Sequence, residues 1–274
     1  MAFIGTATST VLETRGRVDG VTTVKADLIQ PGASAIAPKE PLRVSGLLDR
    51  LYEFDELTPA LGRAYPTLQL RDLVHHETSD ALLRDVASGR ARRGVVFFKN
   101  QDLSPHEQKF VTDRLGHVTG KPASSGLHIH PVYNAERQGK DQVVDENGTQ
   151  NKDNEISVIS SNLHRSLDVA PRSSADEWHS DIAFEPVPAD YTSLKVHTMP
   201  HTGGDTLWAS GYEVYDLLSP PFRAMFEKLE GFYYPPEFTM SAARHNYQLY
   251  AGPRGAAENV GTQLKDNHPL LRTN

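Results

Sequence analysis

Trp178-His179-Ser180-Asp181 sets an imidazole and a carboxylate two residues apart in a run, Trp178 to Phe184, that reads as a β-strand. Side chains at i and i+2 of a strand project from one face, so a single rigid element offers both groups to the same side. They are two of the three ligands of the 2-His-1-carboxylate triad that holds non-haem Fe(II). In a chain with twelve His residues an isolated H-x-D pair is weak evidence, and its surroundings decide its meaning.

Those surroundings read as a β-core. Strand-like runs at Glu155 to Ser160, Trp178 to Phe184, Tyr191 to Thr198 and Asp205 to Ala209 are separated by Pro and Gly turns. That is the pattern of a mostly antiparallel sheet structure with helices outside it, a mixed α and β class. Upstream, a helix is expected from Ser79 to Ala87 and a buried strand from Gly94 to Lys99. Ser104-Pro105-His106-Glu107 opens a further helix, with an N-cap Ser, Pro in the first turn and Glu three after the cap. This helix is expected to end near Leu115-Gly116. Residues 1–45, rich in Thr, Ser, Pro, Gly and Ala, read as a flexible N-terminal arm. The folded domain spans 46–274, with a polar stretch from Tyr133 to Asn154 read as a surface loop or lid.

A chain of 274 residues can bury a substantial core. Its net charge of -7 leaves no basic footprint for nucleic acid and no polybasic membrane patch. The absence of Cys excludes disulfides and thiolate metal sites. No export signal and no membrane-length apolar run are evident. The expectation is a cytoplasmic protein whose partner is a small molecule.

The segment Trp178 to Asp190, followed by Leu194-Lys-Val-His-Thr-Met-Pro200, Thr202-Gly-Gly-Asp-Thr-Leu-Trp208 and Leu218-Ser-Pro-Pro-Phe222, resembles the taurine and alkylsulfate dioxygenases. These are Fe(II)/2-oxoglutarate oxygenases, and the wording is similar to their fungal sulfonate dioxygenase branch. The likeness runs from about Leu51 to the last residue. It implies a double-stranded β-helix of the jelly-roll type, Fe(II) with 2-oxoglutarate and O2 as co-substrates, a small anionic substrate, and self-association into a homo-oligomer. His179 and Asp181 become iron ligands, and Thr206 matches the Thr that hydrogen-bonds a carboxylate of 2-oxoglutarate. His130 and Tyr133, in Leu127-His-Ile-His-Pro-Val-Tyr133, match the residues that bind a sulfonate, as a protonated imidazole and a phenol donating to its oxygens. His128, on the alternate parity, has the weaker claim, and Trp208 reads as core packing. The implied reaction hydroxylates the carbon next to sulfur of an organosulfonate or alkyl sulfate, releasing sulfite or sulfate and an aldehyde, with succinate and CO2.

Two departures qualify this. Ala175 stands where the taurine enzymes have a substrate-contacting Asn, which favours a substrate other than taurine. The family's distal His ligand, and the Arg that pairs with 2-oxoglutarate, lie downstream of a His-Pro-x-x-Arg-Thr segment. Here that segment is His268 to Asn274, so both groups, and the last strands of the roll, are expected from residues beyond it. His245 with Arg254 is the nearest substitute and lies outside the motif. His268 reads as a strand-entry residue. Two alternatives stay open: the same cofactors acting on a carboxylate or secondary metabolite, or a non-catalytic chain that binds an anion or a partner.

Overall fold

The structure is a computed structural model, and it describes residues 2–4, 43–132, 143–144, 150–151, 154–157 and 178–272. The first elements are β1 (Ala2–Ile4), α1 (Leu47–Leu51), β2 (Asp55–Glu56), β3 (Arg63–Tyr65), α2 (Leu70–His75), α3 (Ser79–Arg93), β4 (Val95–Phe98) and α4 (Pro105–Val118). α3 runs past the expected end at Ala87 because Arg90, Arg92 and Arg93 are good helix formers and their charge suits the last turn. It stops at Gly94, whose φ of 68° and close approach to Leu61, 2.5 Å from an added Cβ, leave room only for glycine.

α4 begins as its sequence requires. Ser104 Oγ accepts from the Glu107 N–H at 3.3 Å while the Ser104 N–H donates to Glu107 Oε2 at 2.8 Å. Arg71 of α2 grips the same carboxylate at 2.6 and 3.0 Å and holds its pKa down to about 2, locking α2 to α4.

β3 and β4 are parallel, joined across α2 and α3, and lie in a five-stranded sheet of order β2-β3-β4-β1-β7, with β7 at Thr192–Leu194. Leu48, Leu68, Leu70, Leu73, Leu82, Leu83, Val96, Phe98, Val111 and Leu115 close the core between sheet and helices. The stacked rings of Tyr65 and Phe98, 5.6 Å apart, lie within it. β1 pairs antiparallel with both β4 and β7. Within the expected N-terminal arm, the backbone of Ala2–Ile4 finds strand partners on both sides. At the arm's end the Ser45 N–H and hydroxyl both donate to Asp85 at 2.7 Å.

The rest of the chain is less regular. β5 (Val143–Val144) and β6 (Gln150–Asn151) form a small antiparallel pair inside the expected lid. Beyond β7 come α5 (Gly211–Leu217), α6 (Pro220–Phe226), β8 (Glu230–Tyr233), α7 (Pro236–His245) and β9 (Asp266–Pro269), with β8 and β9 antiparallel. A second small core of Phe184, Tyr247, Leu249 and Leu264 sits among them.

The mixed α and β class stands, but the described residues form one five-stranded and two two-stranded sheets, without assembling a double-stranded β-helix. Three strand expectations are corrected: Trp178 to Phe184 is irregular chain leading into a turn, Asp205 to Ala209 is irregular, and Tyr191 to Thr198 shrinks to Thr192–Leu194. Of Glu155 to Ser160, residues 155–157 are turn and irregular chain, and 158–160 lie outside the described residues. Strand-like composition between Pro and Gly turns is the signal in each run, and composition alone supplies no neighbouring strand to pair with. Among the described residues no helix is long and apolar enough to cross a membrane.

The core makes a graded prediction for urea unfolding. Leu82→Ala, at a site with 0% exposure, should cost about 2–5 kcal/mol, and Ser104→Ala about 0.5–2 kcal/mol through the lost cap. Leu217→Ala, at 86% exposure, should stay within about 0.5 kcal/mol. The check is the transition midpoint at constant m-value.

Candidate active site

The turn over residues 181–184 builds the site. Ile182 sits in the left-handed region at φ 48°, and the Glu185 N–H closes the turn on the Ile182 carbonyl at 3.0 Å. A β-branched residue there is strained, at a cost of roughly 1–3 kcal/mol that the surroundings must offset. The turn brings His179 and Asp181 side by side, with Nε2 and Oδ1 3.3 Å apart and both side chains open to solvent. The hydrogen bond from His179 is the main reason the Asp181 carboxyl lies below its usual range, against the opposing effect of burial; the Thr192 hydroxyl adds to it. Thr192 is placed by its neighbour, because Thr112 of α4 donates to Ser193 Oγ at 2.8 Å and Gln108 reaches the same hydroxyl at 3.3 Å.

Two donors bound to one ion at about 2.1 Å and at right angles lie about 3 Å apart. The His179–Asp181 spacing fits neighbouring positions on a divalent ion, and the imidazole–carboxylate donor pair suits a borderline metal. Among the described residues no group of three or more His, Asp or Glu side chains is arranged to hold a metal. His245 and Arg254 do not supply the missing donor: Arg254 is committed elsewhere, and His245 ends α7.

His130 lies beside this pair. Its Nδ1 accepts the Val132 N–H at 3.2 Å, and its ring meets Phe238 edge-on at 5.3 Å. Burial, aided by His128, pushes its pKa down to about 3, although the charges of Asp181 and Glu185 pull the other way. The expected protonated imidazole is therefore corrected: His130 is neutral, and with Nδ1 accepting, its proton is on Nε2. That single N–H is a neutral donor for a ligand oxygen.

The feature the sequence did not reveal is the charge cluster behind these residues. Arg254 holds both oxygens of Glu185, at 2.5 and 2.8 Å, with each side chain only 1% exposed. His128 Nε2 joins Glu185 Oε1 at 2.9 Å. Burial pushes the Glu185 carboxyl up, yet hydrogen bonds from Arg254 and His128 outweigh it and hold the group below its ordinary value. His268, within β9 and buried, bonds the Glu185 carbonyl at 2.9 Å.

Thr206 is exposed in irregular chain after Gly203 and Gly204, both at φ 78°. Two residues on, Trp208 packs edge-on against Phe97 at 5.0 Å, the packing role its sequence context suggests. Tyr133 and Ala175 lie outside the described residues. His179, Asp181 and His130 thus come together, and Thr206 stands in an exposed irregular stretch.

The low pKa of His130 fixes a sign. The unfolded chain takes up a proton near pH 6.5, the folded one only near pH 3, so His130 contributes stability above pH 6.5 that is lost as pH falls through this window. Unfolding free energies of His130→Gln should show a shallower fall between pH 6.5 and 4 than the parent. An unchanged slope would mean that His130 is protonated in the native state.

The family model described as taurine catabolism dioxygenase TauD, TfdA family matches residues 53–274. The chain is 41% identical over 236 residues to the alpha-ketoglutarate-dependent dioxygenase oryG of Aspergillus oryzae, covering 85% of this chain and 66% of that protein. It is 35% identical over 246 residues to the alpha-ketoglutarate-dependent dioxygenase btcD of Neocamarosporium betae, covering 86% and 69%. With the alpha-ketoglutarate-dependent sulfonate dioxygenase of Saccharomyces cerevisiae it shares 32% identity over 175 residues, 64% of this chain and 37% of that one. The chain spans about two thirds of the length of the first two, 66% and 69%. This chain belongs to the TauD, TfdA family of dioxygenases.

Proposed function

We propose that this chain acts in an Fe(II)- and 2-oxoglutarate-dependent dioxygenase that uses O2 to hydroxylate the carbon next to sulfur in an organosulfonate or alkyl sulfate. Collapse of the adduct releases sulfite or sulfate and an aldehyde, alongside succinate and CO2. The observation that carries this reading is the His179–Asp181 pair at 3.3 Å with His130 beside it. His179 and Asp181 would hold the iron, which when bound supplies the oxidising chemistry. Thr206 would donate its hydroxyl to a 2-oxoglutarate carboxylate. His130 would donate its Nε2–H to a substrate oxygen, with Tyr133 as a second donor and Phe238 as the apolar neighbour of its ring. The jelly-roll closure belongs to this reading, as does a third His ligand. The sulfonate dioxygenase relative in yeast supports the substrate class.

A second reading keeps the cofactors and replaces the sulfonate by a carboxylate or a secondary metabolite. The neutral state of His130 favours its secondary-metabolite branch, because a neutral donor does not demand a full anion.

The test is turnover with Fe(II), ascorbate and 2-oxoglutarate over a panel of alkyl sulfonates, alkyl sulfates and carboxylates, reading succinate and sulfite separately. His179→Ala and Asp181→Ala should each lower iron-dependent succinate formation by at least the roughly 10- to 100-fold that loss of an outer metal-site partner costs. Succinate with sulfite supports the first reading. Succinate with a carboxylate and no sulfite from any sulfonate supports the second. No succinate with any member of the panel, from this chain and from one extended with the family's distal segment alike, would sink both.

A further inference from the structure

We propose that Glu185 and Arg254 are positioning residues that hold the Gly126–Val132 segment, and His130 with it, against the turn that carries His179 and Asp181. The substrate consequence rests on the function proposed above; the positioning itself does not.

The connections run through one loop. At one end of the His130 segment the Gly126 N–H donates to the Gly255 carbonyl at 3.1 Å; at the other, the Tyr250 N–H donates to the Pro131 carbonyl at 3.0 Å. Between them His128 reaches Glu185. Gly255 has φ 85°, and an added Cβ would meet the Gly126 carbonyl oxygen at 3.1 Å, so the two backbones approach closely. The loop over 250–261 docks in turn on the ligand turn at two points. One is the Arg254–Glu185 pair. The other is Asn259, whose amide bonds the Val187 carbonyl at 2.8 Å and whose oxygen accepts the Val187 N–H at 2.9 Å. Arg254 also ties the loop to itself, from Nη1 to the Gly261 carbonyl at 2.8 Å and from its N–H to the Asn259 carbonyl at 2.9 Å.

Fold stability alone is a poor reason for such a pair. Removing two charges from water costs several kcal/mol per ion in effective terms, and well-packed apolar replacements of buried pairs are often neutral or stabilising. An ion pair has what an apolar pair lacks, a fixed bidentate direction. Glu185 spends that direction on Arg254 and its remaining accepting capacity on His128. An ionised acceptor requires His128 to donate from Nε2, which fixes the ring's orientation 6.3 Å from His130.

The experiment separates stability from position without depending on activity. The double variant Glu185→Met with Arg254→Met removes both charges and keeps similar volume. The imidazole nitrogen–proton correlation spectra of the nitrogen-15-labelled, metal-free 274-residue chain are compared for parent and variant, with His128→Gln and His130→Gln spectra providing assignment. The expected result is a cooperative melt near that of the parent, while His130 loses its single Nε2–H tautomer pattern and the His128 ring signals lose their parent pattern, both becoming averaged. A folded double variant in which His130 keeps its tautomer pattern overturns the proposal and leaves the pair a packing feature. Should that variant not fold, Arg254→Lys, which keeps the charge but loses the two-pronged grip, is read the same way: averaging at both His residues supports positioning, and unchanged spectra overturn it. Failure of the turnover assay with intact positioning spectra would reject the proposed function and leave this inference standing.

Discussion

A carboxylate with 1% of its side chain exposed stays ionised only if its donors outweigh its lost hydration, and Glu185 meets that condition with Arg254 and His128. Its carbonyl takes a further bond from His268, so this one residue joins the chain near 128, 185, 254 and 268. The arrangement dictates local shape. In an extended strand Asp181 and Glu185 would lie about 13 Å apart along the axis. The strained turn at Ile182 shortens that path, leaving Asp181 with His179 while Glu185 points into the buried cluster. Strain at Ile182 and burial of Glu185 are two aspects of one solution.

The two parts of the chain are stabilised differently. The α/β layer is held by leucines with essentially no exposure, at 48, 68, 70, 73, 82, 83 and 115. The site-bearing part leans on a small apolar cluster and on polar bonds, while Met199, Leu207, Leu217 and Phe232 remain largely exposed. Regions with few buried apolar contacts open most readily. What links the ligand turn to the rigid layer is α4, through Gln108 and Thr112 to Ser193, and from its neighbour Thr192 to Asp181.

Local chemistry was readable from the sequence, and long-range pairing was not. The Ser104 capping box and the apolar Val95–Phe98 strand are written in adjacent residues, and both formed. The His179–Asp181 proximity was also legible, but for the wrong reason: a two-residue spacing was read as a strand face when a turn supplies it. Arg254 drew notice only beside His245 as a substitute metal-site partner, whereas its real partner, Glu185, is 69 residues away with no local signal to connect them. His128 was ranked below His130 on parity, yet His128 is the one that bonds the buried carboxylate. Buried charges must find partners, so a Glu placed between apolar residues and Pro186 was the available clue to a distant Arg.

Charge compensation also orders the events the proposed site would support. Arg254 cancels Glu185 within the cluster, so neither is left to attract a ligand. Around His130 the Asp181 carboxylate is a negative charge that repels an anion. His130 cannot offset this, because burial keeps it neutral. A divalent ion held by His179 and Asp181 would reverse the sign, since a bound cation is often the largest local charge in such a site. An anionic group approaching the His130 Nε2–H would then gain both a hydrogen bond and a net attraction, where before it gained only the first. On the proposed reading the metal must precede the anion, and that order follows from an Asp181 carboxylate held ionised by His179 and Thr192 beside a His130 that burial keeps neutral.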